Sequence, residues 1–370
     1  LKRRIVIFAT EPLRQAETFI KAHAKFLDGS VHYLNGIFFP KNSEDQKYSL
    51  NEFTLLKKIC YKLGLQSQYQ GFLLHPQLSA YLKEIRPEVA LAEYGTVGAH
   101  TYKVCKKLDI PLVIHFHGVD AHSHNVLKRY SYEYKEMFDY ADRVIAVSED
   151  MKDRLVASGA KPEKVVINPY GPNNKFYKLK SDFKSINFIS VGRFVDKKAP
   201  DKTIEAFSKL LVDYPEATLS MAGNGPLLDE CRQLIRKKQI EKSVKLLGAV
   251  SHTEVFSLYQ NAYCFLQHSV TAPSGDSEGT PVAILEANAA GLPVISTRHT
   301  GIKEVIIHGK NGFLVDEFDV EGMAKHMIEI AGDKTLAKQM GAYGRQRIID
   351  HYSMEKHIST LNDILTKAYR

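Results

Sequence analysis

The segment best suited to chemistry is Gly275-Asp276-Ser277-Glu278-Gly279-Thr280-Pro281, which runs into Val282-Ala283-Ile284-Leu285-Glu286-Ala287. Thr280 has the side chain of a helix N-cap and Pro281 suits a first turn, so the N–H groups present within Gly279 to Val282 are expected to point out of a helix N-terminus at an anion. Glu278 then precedes the helix and Glu286 lies in its second turn. A helix N-terminus flanked by two carboxylates matches a diphosphate lying between hydroxyl-rich groups, which is the polarity of a nucleotide sugar. On the bland reading Glu278 only favours the helix dipole and Glu286 lies on a solvated face. Glu286 stands among Ile284, Leu285 and the stretch Ala287 to Ala290, which is a poor setting for a solvated face.

Two smaller clusters accompany it in the second half. Ser190-Val191-Gly192-Arg193 follows a strand pattern, with Lys197 and Lys198 close behind. Arg193 offers a planar fork to a phosphate and Lys198 a mobile point charge. Gly223-Asn224-Gly225-Pro226 follows another strand and reads equally as a tight turn or a ligand loop. In the first half, His115-Phe116-His117-Gly118-Val119-Asp120 follows the strand Leu112–Ile114. There Gly118 would let backbone approach a ligand and Asp120 would orient His117, while a purely structural histidine is the competing reading. No Asp-x-Asp pair for holding Mg²⁺ occurs, so no metal and no cofactor are expected.

The elements that must position these residues alternate along the chain as βαβ units, the signature of parallel sheets. Strands are expected at Ile5–Ala9, Val31–Phe39, Val89–Glu93, Leu112–His117, Val144–Val147 and Val165–Asn168. Helical patterns lie between them, among them Glu52–Leu63 and Val97–Leu108. Phe176–Ser185 is polar and aperiodic and reads as a linker. The alternation resumes with Phe188–Val191, Leu219–Ala222, Val244–Leu247, Tyr263–Leu266, Val294–Ser296 and Phe313–Val315, and three helical stretches close the chain. The expected architecture is α/β, two doubly wound parallel-sheet domains facing a cleft. Residues 1–176 form the first domain and 177–352 the second, with a terminal helix over 353–370 packing back on the first. Ligands of such sheets bind at the carboxyl ends of the strands.

The 370 residues, 44% hydrophobic and 25% charged, supply a sizeable core and suit two domains of ~150 residues or more. Cys60, Cys105, Cys231 and Cys264 are too scattered for a zinc ribbon or a redox pair and suit a reducing cytosol. Leu1-Lys2-Arg3-Arg4 leads into a first strand rather than a signal peptide, and the leucine at position 1 implies native residues upstream. The net charge of +8 points to anionic partners, and no nucleic-acid motif accompanies it.

Taken together these residues resemble the family 4 glycosyltransferases of the GT-B fold. The segments that carry the likeness are Gly192-Arg193-Phe194-Val195-Asp196-Lys197-Lys198, Gly223-Asn224-Gly225-Pro226-Leu227 and the Glu278/Glu286 pair. Glu17-Thr18-Phe19-Ile20, His117-Gly118-Val119-Asp120 and Ser269-Val270-Thr271 leading to Gly279 are similar to the colanic-acid and exopolysaccharide branch. The resemblance implies a retaining, metal-independent hexosyltransferase that uses a nucleotide sugar, with a UDP-hexose, glucose or galactose, in first place. It places Arg193 and Lys198 on the diphosphate, Glu286 on the ribose, and Glu278 with Gly279, Thr280 and Pro281 on the sugar. Gly223, Asn224, Gly225 and Val250 complete the donor contacts. His117, with Glu278, Arg193 and Lys198, would surround the reacting centre, and Glu17, Thr18, His117 and Asp120 would meet a glycan or lipid-linked acceptor. The implied setting is cytoplasmic, peripheral on the inner face of a membrane with an anionic surface. Ala199, where the family usually has glycine after the lysine, and Lys303, where the branch often has proline, depart from the pattern.

Three other readings compete. An NAD-dependent enzyme needs a glycine-rich turn after the first strand, and Ala9-Thr10-Glu11-Pro12 has none. A sugar-nucleotide 2-epimerase of the same architecture would act without an acceptor. A non-catalytic nucleotide-sugar-binding protein is opposed by the presence of Arg193, Lys198, Glu278 and Glu286 together.

Overall fold

The computed structural model describes residues 3–15, 17–37, 39–51, 54–63 and 70–368. Glu52 and Phe53, the first two residues of the helical pattern Glu52–Leu63, lie outside them. The chain divides into two compact units, one of Leu1–Ala121, Asn125–Asn168 and Ile358–Arg370, the other of His122–His124 and Pro169–His357.

The first unit is built on seven strands: β1 (Arg4–Ala9), β2 (Ser30–Asn35), β3 (Asn42–Ser43), β4 (Val89–Glu93), β5 (Leu112–His115), β6 (Arg143–Ala146) and β7 (Val165–Ile167), in the order β3-β2-β1-β4-β5-β6-β7. All pairs are parallel except β2 with β3. Every residue of β4 and β5 is buried, as expected of strands with helices on both faces. The terminal helix Met354–Ala368 buries Leu361 and Leu365, and Asn362 Oδ1 accepts the Asp28 N–H at 2.9 Å.

The second unit carries β8 (Asn187–Val191), β9 (Thr218–Ala222), β10 (Val244–Gly248), β11 (Cys264–Gln267), β12 (Val294–Thr297) and β13 (Gly312–Val315), all parallel, in the order β10-β9-β8-β11-β12-β13. In each sheet the strand order reverses once, between β1 and β4 in the first and between β8 and β11 in the second. These reversals are where open α/β sheets form their binding crevices.

The stretch read as a linker, Phe176–Ser185, is anchored to the second unit. Phe176 is buried with its ring 4.6 Å from Phe256 and 5.0 Å from Tyr259, and Phe183 lies 5.4 Å from Tyr263. Its isolated aromatics find an apolar surface although the segment has no periodicity of its own.

Candidate active site

The site in the second unit starts at its strand reversal. After β8 the chain turns through Gly192 and Arg193 into a short 3₁₀ turn, Asp196–Lys198. The Lys198 ammonium there lies 3.1 Å from Gln267 Oε1, at the end of β11, and 3.1 Å from Glu278 Oε1. Burial pulls the Lys198 ammonium below its ordinary value against the raising effect of Glu278. The same burial raises the Glu278 carboxyl, but Lys198 and Lys197 outweigh it and hold the group below its ordinary range. Arg193 is exposed and, with Gly192, Lys198 and Gln267, lines a small pocket at the strand ends.

Lys197 is not a second phosphate ligand in this arrangement. It is buried, with Nζ 3.0 Å from Asp276 Oδ1 and donating to Ser277 O at 3.2 Å, so it fixes the loop that delivers Glu278. On the opposite side His299 accepts the Glu278 N–H on Nε2 at 3.2 Å, and Gly301 N–H donates to Gly279 O at 3.1 Å.

Thr280 does not cap the following helix. The helix runs Val282–Ala289, its N-cap is Pro281, and no side chain caps it. Pro281 takes an extended conformation, with φ −63° and ψ 116°, which starts the helix one residue later than expected. The first intrahelical donor is Ile284, to Pro281 O, so the leading amides belong to Val282 and Ala283. Glu286, one turn on, is half-buried, and burial pushes its carboxyl up to about 8 despite the neighbouring Tyr259 hydroxyl. Tyr259 itself donates to Ala283 O at 3.1 Å.

Gly223, Asn224 and Gly225 form a turn after β9 that packs on the Gly192–Phe194 loop. A Cβ on Gly223, at φ +140°, would fall 1.8 Å from Gly192 O, and Phe194 N–H donates to Asn224 O at 3.0 Å. Glycine is required here by loop-on-loop contact, which in turn shapes the backbone around Arg193. Val250 is half-buried after β10.

The first unit gathers a second cluster at its own reversal. Glu93, the last residue of β4, is fully buried and lies 2.6 Å from His23 Nδ1, 2.9 Å from His117 Nε2 and 3.8 Å from His115 Nδ1. Burial raises its carboxyl, but His23 and His117 together hold it well below the usual carboxylate range. The His117 side chain is only 3% exposed and stacks on Phe19 at 4.8 Å. Asp120 does not orient this ring. Its carboxylate accepts the backbone N–H groups of Gly95, His117 and Gly118 at 2.8 to 3.0 Å, and the ring is oriented by Glu93 instead. Glu17 and Thr18 are exposed at the start of the helix Thr18–Phe26, and the Tyr94 hydroxyl donates to Glu17 Oε1 at 2.6 Å.

Ligand atoms of His23, Glu93 and His115 lie within 4.8 Å of one another, a donor set of the kind that suits a transition-metal dication. The two shortest distances in the cluster are those of ordinary charge-assisted hydrogen bonds. None of Glu93, His23, Gln267, His299 and Glu317 was among the candidate site residues expected from the sequence. The one available signal was a glutamate closing an otherwise apolar parallel strand, Val89-Ala90-Leu91-Ala92-Glu93.

Two helix-flanked parallel sheets, each with polar groups collected at its strand reversal, define the GT-B class of fold. The family model for glycosyl transferases group 1 matches residues 173–347, and that for glycosyltransferase family 4 matches 31–173. The chain belongs to these family 4, group 1 glycosyltransferases. It is 32% identical over 250 residues to WcaL of Salmonella typhimurium, named as a colanic acid biosynthesis glycosyltransferase, covering 66% of this chain and 61% of that one. It is 29% identical over 329 residues to the amylovoran biosynthesis glycosyltransferase AmsK of Erwinia amylovora, covering 84% and 80%. The chain thus spans about three-fifths of the length of WcaL. Among solved structures, HepE of Anabaena, described in complex with UDP, aligns with a TM-score of 0.77 at 16% identity, covering 98% of this chain and 100% of that one. The sucrose-phosphate synthase of Thermosynechococcus elongatus aligns with a TM-score of 0.75 at 16% identity, covering 99% of each.

Proposed function

We propose that this glycosyltransferase moves a hexose, glucose or galactose, from a UDP-sugar to a glycan or lipid-linked oligosaccharide in exopolysaccharide assembly, with retention of configuration and without a metal. The observation that carries the reading is the ion pair at 3.1 Å between half-buried Lys198 and buried Glu278, set beside Arg193 at the strand reversal and followed by the helix that bears Glu286. Breaking the bond from anomeric carbon to phosphate leaves negative charge on the diphosphate and positive character on the sugar. Arg193, Lys198 and the leading amides of the Val282–Ala289 helix answer the first, in place of a metal, and the Glu278 carboxylate lies toward the second. Glu286 takes the ribose hydroxyls, and the leaving phosphate accepts the proton of the attacking hydroxyl on the same face.

The polysaccharide setting is supported by the colanic acid and amylovoran names of the relatives, and the choice of UDP by HepE, which is also described with UDP-glucose. Acceptor contacts fall to Glu17, Thr18, His117 and the backbone shaped by Asp120. Among the described residues no helix is long and apolar enough to cross a membrane, and a lipid-linked acceptor would be reached by docking on an anionic surface. A mass-spectrometric screen of UDP-, GDP- and ADP-sugars for donor consumption tests this reading. UDP-hexose should be hydrolysed slowly, releasing UDP. Conversion to an isomeric nucleotide sugar would establish an epimerase instead, and no consumption of any donor would overturn the enzyme assignment.

A further inference from the structure

The loop that carries Glu278 is held from behind by a relay that the reaction does not itself require. His299, just beyond the end of β12, is 1% exposed and accepts the Glu278 N–H on Nε2 at 3.2 Å. A backbone amide can only donate, so Nε2 must present a lone pair and the ring proton must sit on Nδ1. Nδ1 lies 2.6 Å from Glu317 Oε1, and the other Glu317 oxygen accepts the Thr271 N–H at 2.8 Å. The relay therefore joins both ends of the loop Thr271–Glu278 through one carboxylate and one imidazole. Two residues further on, Gly301 N–H donates to Gly279 O, and a Cβ on Gly301 would fall 2.2 Å from that oxygen, so the turn carrying His299 lies directly under Glu278 and Gly279.

We propose that His299 is a positioning residue that holds Glu278 at the donor sugar only while its Nε2 is unprotonated, with Glu317 selecting the required tautomer. The inference rests on the reading of Glu278 as the group facing the transferred sugar. A proton on Nε2 would set an imidazolium N–H against the Glu278 N–H, two donors with no acceptor between them, and the loop must then move. The charges facing the imidazole are Glu317 beyond β13, Glu278 before the Val282–Ala289 helix, and His122; Arg298 precedes it in the turn after β12 and lies 3.7 Å from Asp316, while from the Asp196–Lys198 turn Lys198 reaches Glu278 and Lys197 reaches Asp276. Burial holds the ring below the ordinary histidine value against the carboxylates, so the loop is held at neutral pH and released on the acid side.

Three variants separate this role from simple packing. In His299→Gln the amide oxygen accepts the Glu278 N–H and the amide nitrogen donates to Glu317, the neutral tautomer without its titration. Turnover should be rescued to within about threefold of the parent near neutrality, and the parent's acid-side fall should shrink. In Glu317→Gln one oxygen remains for the Thr271 N–H while the amide NH₂ faces Nδ1, which forces the proton to Nε2. Turnover should drop roughly tenfold to a hundredfold at every pH. His299→Phe should fall similarly. All three should bind bare UDP within about twofold of the parent, because Glu278 faces the sugar and not the nucleotide. An unchanged acid limb in His299→Gln, or parental turnover in Glu317→Gln, overturns the inference. If the parent neither binds UDP nor consumes a nucleotide sugar, the donor-site reading fails instead. The relay is then judged by ¹⁵N spectra of the ring alone, in which His299 should be the Nδ1–H tautomer and should titrate together with the Glu278 amide. An Nε2–H tautomer at neutral pH overturns it whatever the enzyme does.

Discussion

Adjacent lysines here have opposite duties, and substitutions separate them. Lys198 stands at the strand reversal with Gln267 and Glu278, so Lys198→Ala and Arg193→Ala should lower turnover by roughly tenfold to a thousandfold, since charge on the leaving diphosphate grows in the transition state. Lys197→Ala should act through the fold. It strands the partly buried Asp276 carboxylate and frees Ser277 O, at a cost of about 2 kcal/mol read as a melting point lower by several degrees. A greater turnover loss at Lys197 than at Lys198, with no change in melting, would mean that the phosphate register is wrong. Glu286 yields a pH prediction. With its carboxyl pushed up to about 8, binding of ribose hydroxyls to the ionised form must expel a proton, so UDP affinity should rise about fivefold between pH 7 and 8 and then level off. Calorimetry in buffers of different ionisation enthalpy reads that proton directly. Glu286→Gln should bind more weakly and release none, and an equally tight variant would remove Glu286 from the nucleotide site. Ala199 shows why one departure from the family pattern has a stability consequence. It sits at φ +36°, ψ 58°, the left-handed region that glycine enters without a Cβ penalty. Ala199→Gly should stabilise the chain by about 1 kcal/mol, seen in thermal melting.

Strands and helices were legible in proportion to their burial. Central strands such as β4 and β5 are continuous apolar runs because helices cover both faces, and their expected positions lie within two residues of the observed ones. The edge strand β3 is two polar residues, Asn42 and Ser43, paired antiparallel to β2, and so short a polar segment carries no period to detect. The start of the Val282–Ala289 helix was misjudged for a related reason, since proline at φ near −65° serves equally as the first helical residue or as an extended N-cap. The amphipathic pattern over Glu52–Leu63 is borne by the helix Thr54–Lys62 in its described part. Leu56, Ile59 and Leu63, which fall on one stripe, are 43%, 47% and 65% exposed, and Lys58 and Lys62 beside them are exposed as well. A helix packed on its own sheet would bury that stripe, whereas a basic amphipathic helix that lays its apolar face into an anionic bilayer would leave it outward. Flotation with liposomes should therefore require anionic lipid, weaken with salt, and drop when Lys57, Lys58 and Lys62 are changed to glutamine. Equal recovery on neutral liposomes would leave this stripe without a membrane role.

At the scale of the whole chain, the two alternating sets of strands were readable from the sequence, because βαβ repetition restarts after a lapse in periodicity. The clusters at the strand reversals were only half readable. Arg193, Lys198, Glu278 and Glu286 stand in local motifs, but His23, Glu93 and His117 are brought together across 94 residues by the pairing of β1 with β4 and of β4 with β5, which no spacing rule reports. The same contrast explains the charge. The excess of +8 is spread over the chain, while the two cations proposed for the diphosphate, Arg193 and Lys198, both follow β8 in the second unit, with Lys198 held against Gln267 of β11. If those two and the helix amides carry the charge of the leaving group, a divalent cation has no vacant task there. Initial rates of UDP-hexose consumption should then be equal, within about twofold, in Mg²⁺ and in EDTA, and the ratio should stay near one across donor concentrations that span the KM. A rate that collapses in EDTA and returns with Mg²⁺ or Mn²⁺ would place a metal on the diphosphate and reduce Arg193 and Lys198 to auxiliary contacts.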